Sequence, residues 1–578
     1  MYSCASCAIL IKGEDMSYFL KKTKTKKGLY YQVYEGRYDR ATMNTKHTSV
    51  EAIGYHDELL KRGISDPLAY ARERVELYRR KETDEKAERI TDDSPSKHYG
   101  HFLVDAFLKK LGIEKSLSLF QYGSRSSFKL HDALRFLLIA QIIEPSSKLN
   151  EYSSLKSDIP GGDKLSYDQM LKGLEELGED YPSVIALVNT HYDGIRKRNT
   201  GVTYFYCTNY YFEIDRPKED KQKGPSKENR KEPIIGMGLL LDEDQLPLSM
   251  RIYPGNESEK PKIREILRSM KEEEQIKGRT VQIADKGLDC GQNIFEAIKN
   301  GDGYIYSQSV KDLPEKEKKW IELPSGYKET YENGELVFKH KSRIDEFPYS
   351  FIHEGKRYTY NFKQKRVVYW SKDLEEKHRL EIASMADKAL NLGVAGAKKK
   401  QFGESSKYVK LGAVDEDGEI TFDNLTSFVN QDKLDEDMKF AGYNMLLTSE
   451  INMKSQDIHK AYKNLWRIEE TFGLLKTDLQ IRPVYLQKKE RIYGHFLVGY
   501  LAAFVLGYLE LVTFEDKVPV NQVVKFIRNF MGIESGKSFI NVTKRNAIAP
   551  FIEERLDLPL THKVLSPAQL KKIMNYKI

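Results

Sequence analysis

The sequence predicts an α/β protein with a mixed sheet, divided into several domains. At 578 residues the chain is too long for a single hydrophobic core. Strand-like apolar segments begin near Thr203 and are interrupted by one amphipathic, helix-like segment, an alternation that indicates a mixed sheet. A later stretch that begins near Ser455 has apolar residues three and four positions apart, as a long helix on that sheet would.

Composition limits the classes of function. Charged residues make up 31% of the chain and the net charge is +7, which is compatible with a polyanionic partner without arguing for one. Four cysteines do not form a disulfide framework, and the Cys4–Cys7 pair has no second pair or histidine cluster that would make a zinc site. The N-terminus is a poor signal peptide. The longest apolar run, from Phe496 to Leu509, is shorter than the about 20 residues of a membrane span. We therefore expect a cytoplasmic protein with a buried core helix and no membrane partner.

The first 200 residues divide into two regions. Residues 1–98 are expected to form a β/α segment with a charged linker from Arg79 to Lys97. Its lysine-rich stretch from Lys21 precedes an alternating strand, and it is either a solvated edge or a contact to DNA phosphates. Residues 99–200 have helical spacing, which suits a DNA-binding domain and a plain packing domain equally well.

The central region predicts the mixed sheet. VTYFY and YYFEI are strand-like, the next two apolar segments flank the turn DEDQ as a hairpin, and a helix then precedes the short strand TVQIAD, which ends on Asp285. We assign residues 201–309 and 440–515 to this core. Residues 310–439, with strand-like pieces and a lysine tract at Lys398–Lys400, form a predicted β-rich insertion domain. Residues 516–578 form a predicted helical C-terminal region.

The helix that is expected to start at Ser455, a plausible N-cap with Asp457 in the first turn, carries two stripes. The apolar stripe is predicted to pack on the sheet, and its members are Leu465, Ile468, Phe472, Leu475 and Leu479. The second stripe lies about 80° away and contains Tyr462, Glu469 and Lys476, each seven residues apart.

Asp285 and Glu469 are candidate metal ligands. A solvated polar flank is the simpler interpretation of the second stripe, but ligands and metals gather at the carboxyl ends of α/β strands, where Asp285 lies. Two such carboxylates belong to the set that holds two divalent cations about 4 Å apart for phosphoryl transfer. Lys476 and Tyr462 would suit contacts to phosphates and to a flipped base.

Three motifs resemble those of a known family. YKNLWRIEETFGLLK resembles the Y-R-E-K signature of DDE transposases of the insertion sequence 4 superfamily, IADKGLD is similar to their second-aspartate motif, and YCTNYYFE is similar to their first-aspartate strand. LQIRPVY followed by RIYGHF is similar to the insertion sequence 1634 subgroup.

The resemblance implies a fold, a reaction and partners. It implies a ribonuclease-H-like catalytic core, behind an N-terminal, mainly helical DNA-binding region, that cuts and rejoins DNA with two Mg²⁺ or Mn²⁺ ions. The partners would be the inverted-repeat ends of the element and its target DNA, bound by a homodimer in a synaptic complex at the prokaryotic nucleoid.

Carried over by position, the resemblance assigns residues to roles. Asp285 would be the second catalytic carboxylate and Glu469 the third, both as metal ligands. Tyr462 and Lys476 would contact DNA, as would the neighbouring Arg467 and Arg482.

Two positions depart from the family pattern. Leu465 stands where the signature has arginine, and Arg467 projects about 160° away from it around the helix. Tyr206 stands where the family has its first aspartate. Glu213 and Asp215 are odd numbers of residues away from Tyr206, so on a continuous strand they would face the other side of the sheet.

We therefore expect a transposase whose strand-cutting activity is impaired. A DNA-binding derivative without catalysis, such as a repressor of related elements, is the alternative, and a metal-dependent nuclease that does not rejoin strands would use the same residues.

Overall fold

A computed structural model describes most of the chain, and its described residues form two compact units. The described ranges are 15–39, 44–88, 96–122, 126–226, 231–273, 275–353, 355–394, 403–413, 425–535, 538–544 and 546–578. Cys4, Cys7 and the tract Lys398–Lys400 lie outside them. One unit comprises residues 1–177, 478–480 and 494–578, and the other comprises residues 178–477 and 481–493.

The first unit begins with a three-stranded antiparallel sheet and two helices. Alternating apolar residues of the sheet pack against the second helix in a core of their own. The elements are β1 (Asp15–Thr25), β2 (Gly28–Asp39), β3 (Asn44–Tyr55), α1 (His56–Lys61) and α2 (Pro67–Glu88).

The following region of the first unit is helical, as its periodicity predicts. Its central helix α5 has eleven buried side chains among fourteen residues, which explains why that segment is apolar on nearly every side. The elements are β4 (Lys97–His98), α3 (Phe102–Leu111), α4 (Glu114–Phe120), α5 (Leu130–Ile143), α6 (Lys148–Leu155) and α7 (Tyr167–Glu179).

The second unit contains the mixed sheet. VTYFY and the first two residues of YYFEI lie in one strand, β5, and the hairpin, helix and Asp285 strand follow where the sequence predicts them. The elements are α8 (Tyr181–Ile195), β5 (Val202–Tyr211), β6 (Ile234–Leu241), β7 (Pro247–Pro254), α9 (Lys262–Glu272), β8 (Val281–Ala284), α10 (Gly291–Lys299) and β9 (Gly303–Gln308).

Five strands of this unit have the order and directions of a ribonuclease-H-like core. Their order is β7-β6-β5-β8-β9. β7, β6 and β5 are antiparallel neighbours, whereas β5, β8 and β9 run parallel. The predicted fold class is thereby confirmed.

The insertion extends this sheet. Its long strands β11 and β12 join it through β15, giving the nine-stranded order β10-β11-β12-β15-β9-β8-β5-β6-β7. The elements are α11 (Glu315–Glu322), β10 (Lys328–Glu332), β11 (Glu335–His353), β12 (Lys356–Ser371), α12 (Lys372–Val394), β13 (Val409–Ala413), β14 (Leu425–Val429), α13 (Gln431–Lys439) and β15 (Tyr443–Thr448). The domain boundaries given above stay predictions.

The predicted long helix is interrupted. It forms α14 (Ser455–Lys463) and α15 (Trp466–Gly473), joined where the Leu465 amide donates to the Tyr462 carbonyl three residues back, and it ends in a wider turn at Leu474–Asp478. Lys454 occupies the N-cap position, so the assignment of Ser455 was wrong by one residue, whereas Asp457 does lie in the first turn. Strict seven-residue alignment along one straight helix was therefore wrong too.

The remaining described residues form helices and three short strands, which lie within the predicted helical C-terminal region. From residue 494 onward they belong to the first unit. Lys489–Thr513 is long and apolar enough to span a membrane, but 78% of its most apolar stretch is buried inside the protein, as in a core helix. The elements are α16 (Lys489–Tyr508), α17 (Val520–Asn529), β16 (Met531–Ser535), β17 (Ser538–Asn541), α18 (Ala549–Leu556), β18 (Val564–Leu565) and α19 (Pro567–Met574).

Candidate active site

The register of two parallel strands sets Tyr206 beside Asp285. β5 and β8 pair with Phe205 opposite Ala284, so the next residue of each chain segment is Tyr206 and Asp285 respectively. Asp285 has left β8 and precedes the short turn Lys286–Leu288, which leaves its carboxylate at the strand's end. The position that the family resemblance assigns to a first aspartate is thus level with the second aspartate, and a tyrosine occupies it.

Glu213 and Asp215 do not replace the missing carboxylate on this strand. β5 ends at Tyr211, so both residues lie beyond it and are exposed. The alternation argument made from the sequence assumed a continuous strand, and that assumption was wrong.

The helix α15, which carries Glu469, packs on the sheet through its apolar face. All five residues of the predicted apolar stripe are buried, and the ring of Phe472 lies 6.0 Å from the ring of Tyr206. Glu469 is on the exposed side of the same helix. The stripe packs on β5 through Phe472, and the position of the Glu469 carboxylate at the sheet edge stays a prediction.

Electrostatics link these three side chains. Burial raises the pKa of the Tyr206 hydroxyl, and the charges of Asp285 and Glu469 raise this pKa further. The charge of Glu259, in the segment between β7 and α9, also raises the pKa of the Tyr206 hydroxyl. The phenol therefore stays neutral at physiological pH, close to two carboxylates.

Tyr462 is hydrogen-bonded to the Asp285 carboxylate. Its hydroxyl donates a hydrogen bond to Asp285 Oδ1 at 3.2 Å, and burial together with the Asp285 charge raises its pKa well above the ordinary value. This contact gives Tyr462 a positioning function at the carboxylate. Sequence reasoning had assigned it to DNA only, and that assignment stays a prediction.

The predicted cationic residues lie against aromatic rings. Lys476 Nζ is 5.8 Å from the centre of the Tyr210 ring, and the Arg482 guanidinium is 5.8 Å from that of Tyr211. The aromatic end of β5 thus positions two cations near its last residues. Arg467 lies 5.5 Å from the ring of Trp466, its neighbour on α15.

A cavity of about 850 Å³ opens beside the carboxylates. Asp285, Tyr462 and Glu469 form part of its wall, and residues of the insertion form much of the rest. Several wall residues are cationic or aromatic, namely Lys286, Lys311, Lys377, Lys463, Phe338, Tyr369, Tyr443, His459 and Trp466. Sequence reasoning missed those of the insertion, and only the four-residue spacing of Asp373, Lys377 and Glu381 on one helix hints at them.

A further carboxyl lies in the turn after Asp285. Burial raises the pKa of Asp289 to about 6, although Lys260 and Arg366 act against this shift. Its Oδ1 atom is buried without a hydrogen-bond partner within the part of the chain that the structure describes.

Sequence comparison identifies the family of this chain. A family model described as the transposase DDE domain matches residues 210–505, which is more than half of the chain. The chain belongs to the transposase DDE domain family. The matched segment contains Asp285 and Glu469 and begins after Tyr206.

The chain was also compared with curated proteins and with solved structures. Nothing among curated proteins matches the chain. Among solved structures, a cryo-EM structure of the piggyBac transposase synaptic complex with hairpin DNA is similar at 9% identity. The similarity covers 83% of this chain and 84% of that one, with a TM-score of 0.35.

The transposase offers two carboxylates for a divalent cation. Mg²⁺ is commonly held by one or two carboxylates with water and substrate phosphates, so Asp285 and Glu469 are ligands of the type that this ion takes. Across the described ranges, no three His, Cys, Asp or Glu side chains are arranged to hold a metal ion.

Proposed function

We propose that this protein is the transposase of a prokaryotic insertion sequence of the insertion sequence 4 superfamily, nearest the 1634 subgroup. It binds the terminal inverted repeats of its element and acts on them by divalent-metal-dependent phosphoryl transfer, with catalysis impaired by Tyr206. The observation that carries the proposal is the pairing register of β5 and β8, which sets Tyr206 beside Asp285. The charge of Glu469 also raises the pKa of the Tyr206 hydroxyl.

Each residue of the site has a distinct role in this proposal. Asp285 and Glu469 hold Mg²⁺ or Mn²⁺, which when bound activates the attacking water or 3′-hydroxyl. Tyr462 fixes the Asp285 carboxylate by its hydrogen bond. Lys476, Arg467 and Arg482 contact the DNA, because their positive charges match the negative charges of the phosphates.

Tyr206 removes one ligand from this set. A neutral phenol supplies no charge, and its hydroxyl is a weak ligand for so hard a cation. The ring is packed against Phe472, so it occupies the volume that a smaller carboxylate would leave open.

The same observation favours a second function, a DNA-binding protein without catalysis that represses related elements. Phosphate contacts dominate DNA affinity and do not require the metal site. In either function we place the protein in the cytoplasm at the nucleoid, assembled on DNA as a homodimer.

A cleavage assay tests the proposal. Duplexes carrying the DNA that flanks the gene are incubated in Mg²⁺ or Mn²⁺ with wild type, Tyr206→Asp and Asp285→Ala. We expect little cutting by wild type, clear cutting by Tyr206→Asp and none by Asp285→Ala. Robust cutting by wild type that Asp285→Ala abolishes would contradict the claim of impairment. Free hydrolysed ends without joined products would indicate a nuclease.

A further inference from the structure

A row of polar side chains crosses one face of the nine-stranded sheet at the level of Asp285. Ser307 is level with Asp285, because the residues that precede them, Tyr306 and Ala284, pair in β9 and β8. The Tyr462 hydroxyl is hydrogen-bonded to both Asp285 and Ser307, so these two side chains lie on the same face of the sheet. The row therefore starts at a candidate metal ligand.

The row continues across β15 to β12 of the insertion. Ser307 pairs with Leu446 of β15, and Asn444, two residues earlier on that strand, pairs with Tyr369 of β12. Residues that pair across strands, or that lie two apart on one strand, point to the same face of a sheet. Ser307, Asn444 and Tyr369 consequently share one face, and all three belong to the wall of the cavity beside Asp285.

Hydrogen bonds fix the orientation of the Asn444 amide. Its Oδ1 atom accepts a hydrogen bond from the Met445 backbone amide at 3.0 Å and lies 3.1 Å from Ser307 Oγ. A backbone N–H can only donate, so the NH₂ group of Asn444 points the other way and donates to the Tyr369 hydroxyl at 2.9 Å. The Tyr369 oxygen therefore accepts in this bond, and its own proton is left for another partner.

The Tyr369 proton has no acceptor within the described ranges of the chain. The side chain is nevertheless only 6% exposed, and its ring packs against the rings of His459 and Phe338, with centres 4.4 Å and 6.1 Å away. Burial raises the pKa of the Tyr369 hydroxyl to about 12, and the charge of Asp285 raises this pKa further. Tyr369 thus presents a fixed, protonated donor to the cavity within the electrostatic range of Asp285.

We propose that the Tyr369 hydroxyl donates a hydrogen bond to a non-bridging phosphate oxygen of the DNA strand that is bound at Asp285. The proposal rests on the transposase function above and adds to it a residue of the insertion that touches the substrate. A divalent ion on Asp285 shares its coordination with substrate phosphates, which brings their oxygens into the cavity. Donors that face an oxygen on which charge develops stabilise the transition state. Tyr369 is therefore a catalytic residue in this proposal.

The surroundings of Tyr369 favour a phosphate over a base as the acceptor. Lys286 and Lys463 line the same cavity, and their positive charges suit an anionic phosphate. Bases are bound by stacking on open aromatic faces, whereas the Tyr369 ring already packs against Phe338 and His459. The group that Tyr369 offers to a ligand is consequently its hydroxyl proton.

Binding of a phosphodiester to the Mn²⁺-loaded, full-length protein tests this assignment. The probe is the dinucleotide d(TpT), because phosphorus nuclear magnetic relaxation in the presence of Mn²⁺ reports phosphate binding next to the ion. Wild type is compared with Tyr369→Phe. Tyr349→Phe is the control, because the Tyr349 hydroxyl, on the neighbouring strand β11, is also buried but already donates to Gln364 Oε1. Electron paramagnetic resonance gives the Mn²⁺ affinity of each protein without d(TpT).

We expect Tyr369→Phe to bind d(TpT) more weakly by about tenfold or more, because a hydrogen bond to a charged group is lost, and to keep its Mn²⁺ affinity within about twofold of wild type. Tyr349→Phe should match wild type in both measurements. Equal d(TpT) affinities for wild type and Tyr369→Phe would overturn the proposal and leave water as the acceptor. A loss of Mn²⁺ affinity as large as the loss of d(TpT) affinity would also overturn it, since the hydroxyl would then act on Asp285.

A second variant tests the direction of the proton. Asn444→Asp keeps the shape of the side chain but replaces its NH₂ group by an oxygen, which can accept the Tyr369 proton. Binding of d(TpT) should fall, and Asn444→Asp should weaken it less in Tyr369→Phe than in wild type, because the two changes remove the same donor. Equal losses in the two backgrounds would show that the added charge acts alone, which contradicts the proposal.

The outcomes for the proposed function are separate. A wild-type protein that binds neither Mn²⁺ nor d(TpT) would contradict metal-dependent phosphoryl transfer and this inference together. Binding of Mn²⁺ without binding of d(TpT) would contradict this inference alone. Weakened d(TpT) binding by Tyr369→Phe, with no DNA cutting by any variant in the cleavage assay, would support this inference and contradict only the enzymatic part of the proposed function.

Discussion

Tyr462→Phe is expected to weaken divalent-cation binding at Asp285 while keeping the ring in place. The lost interactions are the hydrogen bond from the Tyr462 hydroxyl to Asp285 Oδ1 and the hydrogen bond between this hydroxyl and Ser307. Hydrogen bonds to charged groups contribute about 1.5–3 kcal/mol, and the 3.2 Å length of the bond to Asp285 places it at the lower end of that range. Partners that orient metal-binding carboxylates typically change metal affinity by about 10- to 100-fold, so we expect a loss of about tenfold.

Free Mn²⁺ measured by electron paramagnetic resonance during titration gives the dissociation constant. Tyr349→Phe is the matched control, because its hydroxyl also donates over 3.2 Å, to the neutral Gln364 Oε1. We expect this control to leave Mn²⁺ affinity unchanged. Equal affinities for wild type and Tyr462→Phe would refute the positioning role of Tyr462.

Two more predictions concern DNA affinity and pH. Lys476→Ala should weaken binding to the element ends and reduce its salt dependence, whereas Asp285→Ala should leave binding nearly intact, and equal impairment in a gel-shift titration would count against this division. Asp289 has a folded-state pKa of about 6, raised above its unfolded value near 3.9, so its stabilising effect is complete below pH 4 and lost as pH rises through 6. Asp289→Asn should therefore stabilise the protein at pH 7.5 by up to about 3 kcal/mol and have little effect at pH 4. Thermal unfolding at the two pH values measures this, and an effect equal at both would contradict it.

Local patterns predicted much of the core. The segment IIGMGLLL, the DEDQ turn and the strand that ends on Asp285 lie where their apolar runs and turn residues indicate. The buried stripe of Leu465 and its neighbours also followed from spacing alone. These features depend on residues close together in sequence.

Features that depend on tertiary context were not predictable. No proline or glycine marks the interruption between α14 and α15. Asn464 and Leu465 keep helical backbone angles there, and the helix is interrupted because the Leu465 amide donates to a carbonyl three residues back instead of four. The level placement of Tyr206 and Asp285 is set by pairing between strands distant in sequence. The cavity wall arises because the insertion returns to the sheet through β12 and β15.

The central claim is that Tyr206 occupies the place of a metal-binding carboxylate. Mn²⁺ titration of wild type and Tyr206→Asp tests it most directly. A charge about 4 Å from a bound ion contributes about 4 kcal/mol per unit charge at an effective dielectric constant of 20, and repulsion from Asp285 and Glu469 offsets part of this. We predict at least tenfold tighter binding by Tyr206→Asp, which Asp285→Ala in the same protein abolishes. Unchanged affinity in Tyr206→Asp would contradict the claim.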